Sequence, residues 1–211
     1  SKTPEREAYG VFLSIDNSDL SKLDKYGEVV IDAQYFTNED IDKLHAEGHR
    51  VYSYLNVGAV ENFRDYYTNN KSLFLGEYEN WEEEQWIDVS DEGWQEFITE
   101  TLAGKLSLKG VDGFFVDNCD VYYNFPNKKI FNGMTNILRV LMKYDKDVII
   151  NGGDYFVNAY YNKYGSVSDI LTGINQESVF SAIDFDRKQL TKQTKKKREY
   201  FKKVLQLLWG Y

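Results

Sequence analysis

The strongest constraint on the fold is the alternation of short apolar runs with amphipathic segments along the 211-residue chain. Apolar runs typical of strands occur at seven places, which are residues 9–15, 28–36, 50–59, 85–90, 111–118, 147–153 and 169–177. Apolar residues at helical spacing follow most of these runs, and the last such segment covers residues 187–209. Strands that alternate with helices pair in parallel through right-handed crossovers, so the sequence predicts an α/β fold.

The number of strand–helix units favours one architecture within that class. A closed (β/α)8 barrel needs eight strands, whereas the chain offers seven and ends at "LWGY" after the last predicted helix. We therefore expect a TIM-type barrel that lacks its eighth strand in this chain. The alternative is an open doubly wound sheet, which needs no eighth strand. Because no linker interrupts the pattern, we predict a single domain over residues 1–211.

Charge and composition argue against several classes of partner. The net charge is −9, whereas a nucleic-acid-binding surface needs to be basic. Nine of the 25 basic residues lie between Arg187 and Lys203, which leaves 16 basic against 33 acidic residues before that segment. We predict that the basic segment is a helix that packs on the barrel with its lysines in water. No apolar run approaches the roughly 18 residues of a membrane span, so we expect no membrane insertion.

Polar side chains follow every predicted strand at the point where the strand ends. In both α/β architectures, ligands bind at the carboxyl ends of parallel strands. The groups found there are carboxylates and amides, namely Asp16, Asp32, Asn56, Glu61, Asp88, Asp117, Asn118, Asp120, Asn151 and Glu177. Any one of them alone is explained equally well as a helix cap or a turn former. Their recurrence at one rim predicts a functional site, whose acidity suits a cationic or polyhydroxylated ligand.

Several reaction types lack the residues that they would need at this rim. The only histidines, His45 and His49, lie at a helix end on the opposite side of the sheet, so a Ser-His-Asp arrangement has no base. No glycine-rich nucleotide-binding motif is present. A divalent cation held by Asp88, Asp117 and Asp120 would lack the DxDxDG loop that is typical of calcium sites. We therefore predict no cofactor and no metal site.

Two carboxylates from different strands fit glycoside hydrolysis, in which one donates a proton and the other acts as nucleophile or base. The stretch "GVDGFFVDNCD" places Asp117 at the end of an apolar run and Asp120 three residues further on. It lacks the glutamate of the DGxDxDxE strand found in the chitinase-like family 18. Carboxyl groups about 5 Å apart would predict retention at the anomeric carbon, and a separation of about 6.5–9.5 Å would predict inversion.

Six segments carry a more extensive family resemblance, "EVVIDAQYF", "RVYSYLNVGAVENFRDYY", "WIDV", "GVDGFFVDNCDVYYNF", "VIINGGDYF" and "TGINQESVF". Through them the chain resembles glycoside hydrolase family 114, the endo-α-1,4-polygalactosaminidase-like family. The resemblance implies an extracellular or cell-surface (β/α)8 barrel that cleaves an α-linked, galactosamine-containing polysaccharide internally. It also implies that Asp117 and Glu177 occupy the positions of the catalytic pair. Asp120 is the alternative to Asp117 for the first of these positions, because the motif contains both.

These considerations define the expected site. We expect Asp117 and Glu177 to be catalytic. The residues expected to bind substrate are Asp16, Asp32, Tyr54, Glu61, Asp88, Asn118, Asp120 and Asn151. The first alternative function is a barrel that binds glycan without cleaving it, because the same aromatic and amide groups would serve both purposes. A metal-dependent hydrolase or lyase on the same barrel is a third, weaker hypothesis.

Overall fold

The computed structural model of the protein describes residues 7–78 and 81–175. Its strands are β1 (Glu7–Phe12), β2 (Tyr26–Ile31), β3 (Arg50–Asn56), β4 (Ala59–Glu61), β5 (Phe74–Tyr78), β6 (Trp81–Ile87), β7 (Gly113–Asp117), β8 (Asp147–Asn151) and β9 (Gly173–Asn175). Its α-helices are α1 (Asn38–Ala46), α2 (Glu92–Glu96), α3 (Ala103–Leu108), α4 (Val121–Asn124), α5 (Lys128–Met142) and α6 (Asp154–Tyr164). A π-helical turn (Phe97–Leu102) joins α2 to α3, and 3-10 helices cover Asn17–Leu23, Ala33–Tyr35 and Thr68–Leu73.

Six strands form one parallel sheet in the order β1-β2-β3-β7-β8-β9. The sheet curls into part of a barrel with helices packed against it, which confirms the predicted barrel-type α/β fold. The end of the seventh predicted strand and the helix predicted at residues 187–209 lie outside the described residues. A single domain over residues 1–211 therefore stays a prediction.

The fourth predicted strand does not belong to this sheet, so that prediction is wrong. Residues 85–87 lie in β6, which pairs antiparallel with β4 and β5 in a separate three-stranded sheet. β3 pairs directly with β7 instead. The reason lies in the sequence of β6, "WEEEQWI", which mixes charged and apolar residues as antiparallel strands with a solvated face do. A buried parallel strand is apolar on both faces.

The parallel sheet buries different side chains on its two faces, because successive residues of a strand point in opposite directions. Val29 and Ile31 of β2 belong to the main core, which also contains the buried faces of the helices. On the opposite, inner face, a separate buried cluster is formed by Val30, Tyr52, Tyr54 and Phe115. This inner cluster fills the barrel interior beneath the carboxyl ends of the strands.

The longer helices begin at the caps that their sequences favour. Thr37 and Asp40 form a capping box at the start of α1. Asn127 caps α5, whose apolar residues recur at helical spacing and are buried against the sheet. Within the described chain, none of the helices is both long and apolar enough to span a bilayer.

Close backbone contacts hold the loop after β3 against the loop after β7. A Cβ atom on Gly58 would lie 1.9 Å from the carbonyl oxygen of Asn118, so only glycine fits there. Asn118 itself has a left-handed backbone with φ of 68°. Its side chain donates to Asn56 Oδ1 at 2.9 Å, and Trp94 donates to the carbonyl of Val57 at 3.0 Å. These contacts fix the ends of β3 and β7 side by side.

Candidate active site

The last residues of four adjacent strands form one polar row across the parallel sheet. The register places Asn56 of β3 beside Asp117 of β7. It continues from Asp117 to Asn151 of β8 and on to Asn175 of β9. Residues in register point to the same face of a sheet, and here that face is the one with the inner cluster. The row therefore lies at the carboxyl ends of the strands, where α/β barrels bind their ligands.

Asp117 accepts hydrogen bonds on both of its carboxyl oxygens. Tyr54 Oη donates to Oδ2 at 2.7 Å. Asn151 Nδ2 and the backbone N–H of Asn118 donate to Oδ1 at 3.2 Å and 3.0 Å. Burial raises the pKa of Asp117, while these three donors oppose the rise. Since N–H groups can only donate, Oδ1 is an acceptor in every state, so the three donors favour the ionised carboxylate against the rise in pKa that burial causes.

The hydrogen bonds continue from Asn151 across the sheet to β1. Asn175 Nδ2 donates to Asn151 Oδ1 at 2.7 Å, and Tyr9 Oη donates to Asn175 Oδ1 at 2.9 Å. The oxygen of Asn151 is thereby engaged with Asn175, which leaves its nitrogen to face Asp117. The sequence interpretation placed Asn175 at the polar end of the seventh predicted strand, but it gave neither Asn175 nor Tyr9 a role in the site. The signal for Asn175 was its position at the end of a strand, which matches that of Asp117.

A buried ion cluster of Asp32, Glu61 and Arg64 lies at the ends of β2 and β4. Arg64 Nη1 is 2.9 Å from Asp32 Oδ2, and Arg64 Nε is 3.2 Å from Glu61 Oε2. All three residues are at most 7% exposed. Burial raises the pKa of Asp32. Burial opposes the charge of Arg64, but the carboxylates of Glu61 and Asp32 together outweigh it and the pKa of the guanidinium is raised. With both carboxyl groups ionised, the cluster carries one net negative charge.

Glu84 of β6 is a further acidic residue of the site, and the sequence interpretation missed it. It stands opposite Glu61 in the pairing of β4 with β6. Its Oε2 atom is buried and has no hydrogen-bond partner within residues 7–78 and 81–175. Burial, and after it the charges of Glu61 and Asp117, raise the pKa of Glu84 to about 7. A carboxyl group with this pKa exchanges a proton readily at neutral pH.

Five of the residues predicted to bind substrate surround Asp117 or lie in the adjoining ion cluster. Tyr54, Asn118 and Asn151 each donate a hydrogen bond to its carboxylate. Asp32 and Glu61 form the ion cluster, and the charge of Glu61 contributes to the raised pKa of Asp117. The structure thus brings together residues that lie on or directly after β2, β3, β4, β7 and β8.

The other three predicted substrate-binding residues accept hydrogen bonds from backbone N–H groups. Asp16 is exposed and accepts from a backbone N–H of the 3-10 helix that it caps, at 2.8 Å. Asp88 accepts from the N–H of Ser90 in the turn after β6, at 3.0 Å. Asp120 accepts from the N–H of Gly153 before α6, at 3.3 Å. The capping and turn-forming role left open for such residues describes the contacts of Asp16 and Asp88, whereas Asp120 links the loop after β7 to the turn before α6. The part of all three in substrate binding stays a prediction.

The second predicted catalytic carboxyl group, that of Glu177, lies outside the described residues. In the sequence it follows Asn175, the last residue of β9 and of the polar row, by two positions. The separation between the carboxyl groups of Asp117 and Glu177, and with it the stereochemical outcome, stays a prediction.

Solved structures of glycoside hydrolases share the fold of this chain. A variant of the glycoside hydrolase domain of PelA from Pseudomonas aeruginosa aligns with a TM-score of 0.64 at 16% identity, over 82% of this chain and 66% of that one. Aspergillus fumigatus Ega3 in complex with galactosamine aligns with a TM-score of 0.61 at 15% identity, over 85% and 70% of the two chains. An α-amylase from H. orenii aligns with a TM-score of 0.56 at 11% identity, over 86% and 54%. The described fold is that of the TIM-barrel glycoside hydrolases, and the chain spans just under two thirds of the PelA domain.

The sequence identifies the family within that class. The model of glycoside-hydrolase family GH114 matches residues 11–154, well over half of the chain. The chain belongs to glycoside-hydrolase family GH114, so the resemblance inferred from its sequence is confirmed. The matched range includes Tyr54, Glu84, Asp117 and Asn151 and ends before Glu177. No curated protein sequence matches the chain.

Proposed function

We propose that the protein is a glycoside hydrolase that cleaves a galactosamine-containing polysaccharide internally. The observation that carries the proposal is Asp117, a partly buried carboxylate that three donors hold at the carboxyl end of a barrel strand. Membership of family GH114 supports the reaction class, and the galactosamine bound to the structurally similar Ega3 supports the sugar. We place the enzyme outside the cell or at the cell surface, where a polymeric substrate of this kind is accessible.

Asp117 and Glu177 are the proposed catalytic pair. Tyr54, Asn151 and the N–H of Asn118 favour the ionised form of Asp117. Asp117 is therefore the carboxylate that attacks the anomeric carbon or removes a proton from the attacking water. Glu177 supplies the proton that the departing glycosidic oxygen takes up. The negative charge around Asp117 also stabilises the positive charge that develops on the sugar ring in the transition state.

The acidic surroundings of Asp117 favour a cationic sugar. The guanidinium of Arg64 contacts Asp32 and Glu61, and its charge also acts on Glu84. The charge of Glu61 acts on Asp117 as well, so these four carboxyl groups lie in one acidic environment. A deacetylated galactosamine unit has an ammonium group, and an ammonium next to Glu84 would favour the ionised form of this carboxyl. We propose Glu84 as the residue that binds the ammonium group, because its buried Oε2 has no hydrogen-bond partner within the described part of the chain.

Hydrolysis of defined polymers tests the proposed function. With soluble α-1,4-linked polygalactosamine, the wild-type protein is expected to release new reducing ends together with oligosaccharides of intermediate length, as internal cleavage produces. Saturable binding of the polymer without new reducing ends during a long incubation would contradict hydrolysis and indicate the glycan-binding alternative. Activity that a chelator abolishes would indicate the metal-dependent alternative.

The role of Glu84 needs a comparison of two substrates. For the wild-type protein, kcat/KM is expected to be at least ten-fold higher on the deacetylated polymer than on its N-acetylated form. Glu84→Gln is expected to reduce this preference, while Glu83→Gln, at the exposed neighbouring position, is expected to keep it. An unchanged preference in Glu84→Gln would contradict ammonium binding at this residue and leave the hydrolase proposal intact.

A further inference from the structure

Three potential metal ligands meet at the end of the sheet opposite to Asp117. Asp24 ends the 3-10 helix before β2, Glu47 ends α1, and His49 immediately precedes β3. One ligand atom from each, a carboxylate oxygen or an imidazole nitrogen, lies within 4.8 Å of the other two. Asp117 is the last residue of its strand, whereas Asp24 and His49 precede the first residues of theirs. The cluster is therefore separate from the candidate active site.

The ring of His49 is oriented towards the two carboxylates. His49 Nδ1 lies 2.7 Å from the carbonyl oxygen of Tyr26. A carbonyl only accepts, so Nδ1 carries the proton, and in the neutral ring Nε2 holds the lone pair. The side chain is fully buried, and its Nε2 has no hydrogen-bond partner among the described residues. Nε2 lies 4.0 Å from Glu47 Oε2, which is too far for a hydrogen bond.

The backbone around His49 fixes this arrangement. Gly48 has φ of 87°, the left-handed conformation that commonly ends a helix. The N–H of Glu47 donates to the carbonyl of Lys43 at 3.0 Å, and the N–H of His49 donates to the carbonyl of Leu44 at 3.0 Å. Glu47 and His49 are thus held on one tight turn. Their spacing does not depend on mobile side chains alone.

The donor set has the chemistry of a transition-metal site. Neutral imidazole nitrogen and carboxylate oxygen are the ligands that Zn²⁺ takes at about 2.0–2.2 Å. Metal-binding histidines donate their other ring N–H to a carbonyl or carboxylate, as His49 does to Tyr26. In tetrahedral geometry, bonds of this length put ligand atoms roughly 3.4 Å apart, so the present spacing must contract slightly. Asp24 and Glu47 have exposed side chains that permit this movement.

We propose that Asp24, Glu47 and His49 bind a divalent transition-metal ion, with Zn²⁺ as the first candidate and a water molecule as the fourth ligand. The ion would link the end of α1 to the segments that lead into β2 and β3. Its role is structural, because it binds the folded arrangement and so stabilises it. This site differs from the metal-free prediction made from the sequence, since the sequence did not show that Asp24 approaches His49.

Titration of the tag-free chain with Zn²⁺ tests the proposal, with isothermal calorimetry and the visible absorption of bound Co²⁺ as readouts. The wild-type protein is expected to bind one ion per chain, and saturation is expected to raise the unfolding temperature by about 3–5 °C. Glu47→Gln and His49→Gln are each expected to weaken binding at least ten-fold. His45→Gln changes the only other histidine, which lies 2.7 Å from Asp112, and is expected to leave binding unchanged.

Three results would overturn the proposal. They are the absence of stoichiometric binding to the wild-type chain, unchanged binding in Glu47→Gln, and loss of binding in His45→Gln. Because Glu47 is exposed, its variant is expected to fold even if the buried His49 does not tolerate substitution. Asp24→Asn, at a second exposed position, gives an independent check through the same ten-fold criterion.

Discussion

The contacts of Asp117 combine two opposing influences on one carboxyl group. Burial favours the protonated form, whereas three hydrogen bonds favour the ionised form. Two of these hydrogen bonds come from N–H groups that lie on or beside the sheet, and the third comes from the hydroxyl of Tyr54. The proton affinity of Asp117 therefore depends in part on two side chains, those of Tyr54 and Asn151, that single substitutions can change.

Removal of the Tyr54 hydroxyl should change the pH dependence of the reaction. Tyr54→Phe takes a donor away from the carboxylate, so the pKa of Asp117 is expected to rise further. The acidic limb of the kcat/KM profile is then expected to move to higher pH by about one unit, with kcat lowered about ten-fold. Steady-state rates measured across the pH range check this prediction.

Tyr52→Phe is the matched control for this experiment. Tyr52 lies two residues earlier on the same strand, but its hydroxyl donates to Asp147 at 3.0 Å. Its variant is expected to leave the acidic limb unchanged. Equal displacement of the limb in both variants would mean that Tyr54 does not act through its bond to Asp117.

Glu84 should make stability depend on pH. Its pKa rises from 4.5 to about 7 on folding, so the folded state retains a proton that the unfolded state has released. The raised pKa of Glu84 therefore lowers the free energy of unfolding. This loss is absent below about pH 4.5 and grows as the pH rises towards and through 7. Glu84→Gln is therefore expected to raise the free energy of unfolding by about 1–2 kcal/mol at pH 8, discounted for partial exposure, and by much less at pH 5.

Urea unfolding at the two pH values measures this difference. Glu83→Gln, an exposed neighbour on the same strand, is expected to change stability at neither pH. The assigned environment of Glu84 would be refuted by a Glu84→Gln variant whose stability differs from wild type equally at pH 5 and pH 8.

At the scale of secondary-structure elements, the site depends on how closely the loops after β3 and β7 pack. Gly58 contacts the backbone of Asn118, and Asn118 in turn contacts both Asn56 and Asp117. A side chain inserted between these loops would displace backbone rather than a flexible side-chain end. The position of Asp117 is therefore sensitive to the packing of a loop that contains no catalytic group.

Gly58→Ala should destabilise the protein and disturb the site together. The new methyl group would lie 1.9 Å from the carbonyl oxygen of Asn118, so the free energy of unfolding is expected to fall by about 3 kcal/mol. Gly104→Ala is the control, because its Cβ would meet no atom closer than 3.5 Å and alanine favours the helix by about 0.5–1 kcal/mol. Denaturant unfolding of both variants checks the prediction, and a neutral Gly58→Ala would contradict the close approach.

The parallel strands were predictable from the sequence, whereas the antiparallel strand that carries Glu84 and the tertiary contacts of the site were not. The apolar runs that end at Asp32, Asn56 and Asp117 predicted the strands. The polar residues at the ends of these runs predicted the position of the site. The acidic run that contains Glu84 has the composition of a solvated surface, and only its position two residues before the buried Trp86 hinted at an inward face. Contacts such as that of Arg64 with Asp32 depend on tertiary packing, which periodicity does not encode.

At the scale of the whole molecule, the acidic balance of the chain matches the acidic site. The net charge is −9, and the residues around Asp117 carry more carboxylates than cationic groups. Such a charge distribution attracts a cationic polymer over a distance comparable to the Debye length. The proposed substrate and the electrostatic character of the molecule are therefore consistent.

Ionic strength should change the KM of the enzyme for the deacetylated polymer. The Debye length falls from roughly 30 Å at 0.01 M to about 8 Å at 0.15 M salt, so KM is expected to rise several-fold across this range. The N-acetylated polymer has no ammonium groups, and its KM is expected to stay constant. A salt-independent KM for the deacetylated polymer would contradict electrostatic attraction of the substrate.

The central claim is that Asp117 acts with Glu177 in glycoside cleavage, and kcat/KM for release of reducing ends from polygalactosamine tests it most directly. Asp117→Asn and Glu177→Gln are each expected to lower this value by about a thousand-fold or more, with the stability of the fold retained. Asp120→Asn removes the same charge three residues further along, and its activity is expected to stay within about ten-fold of wild type. Full activity in Asp117→Asn, or an equal loss in Asp120→Asn, would contradict the assignment.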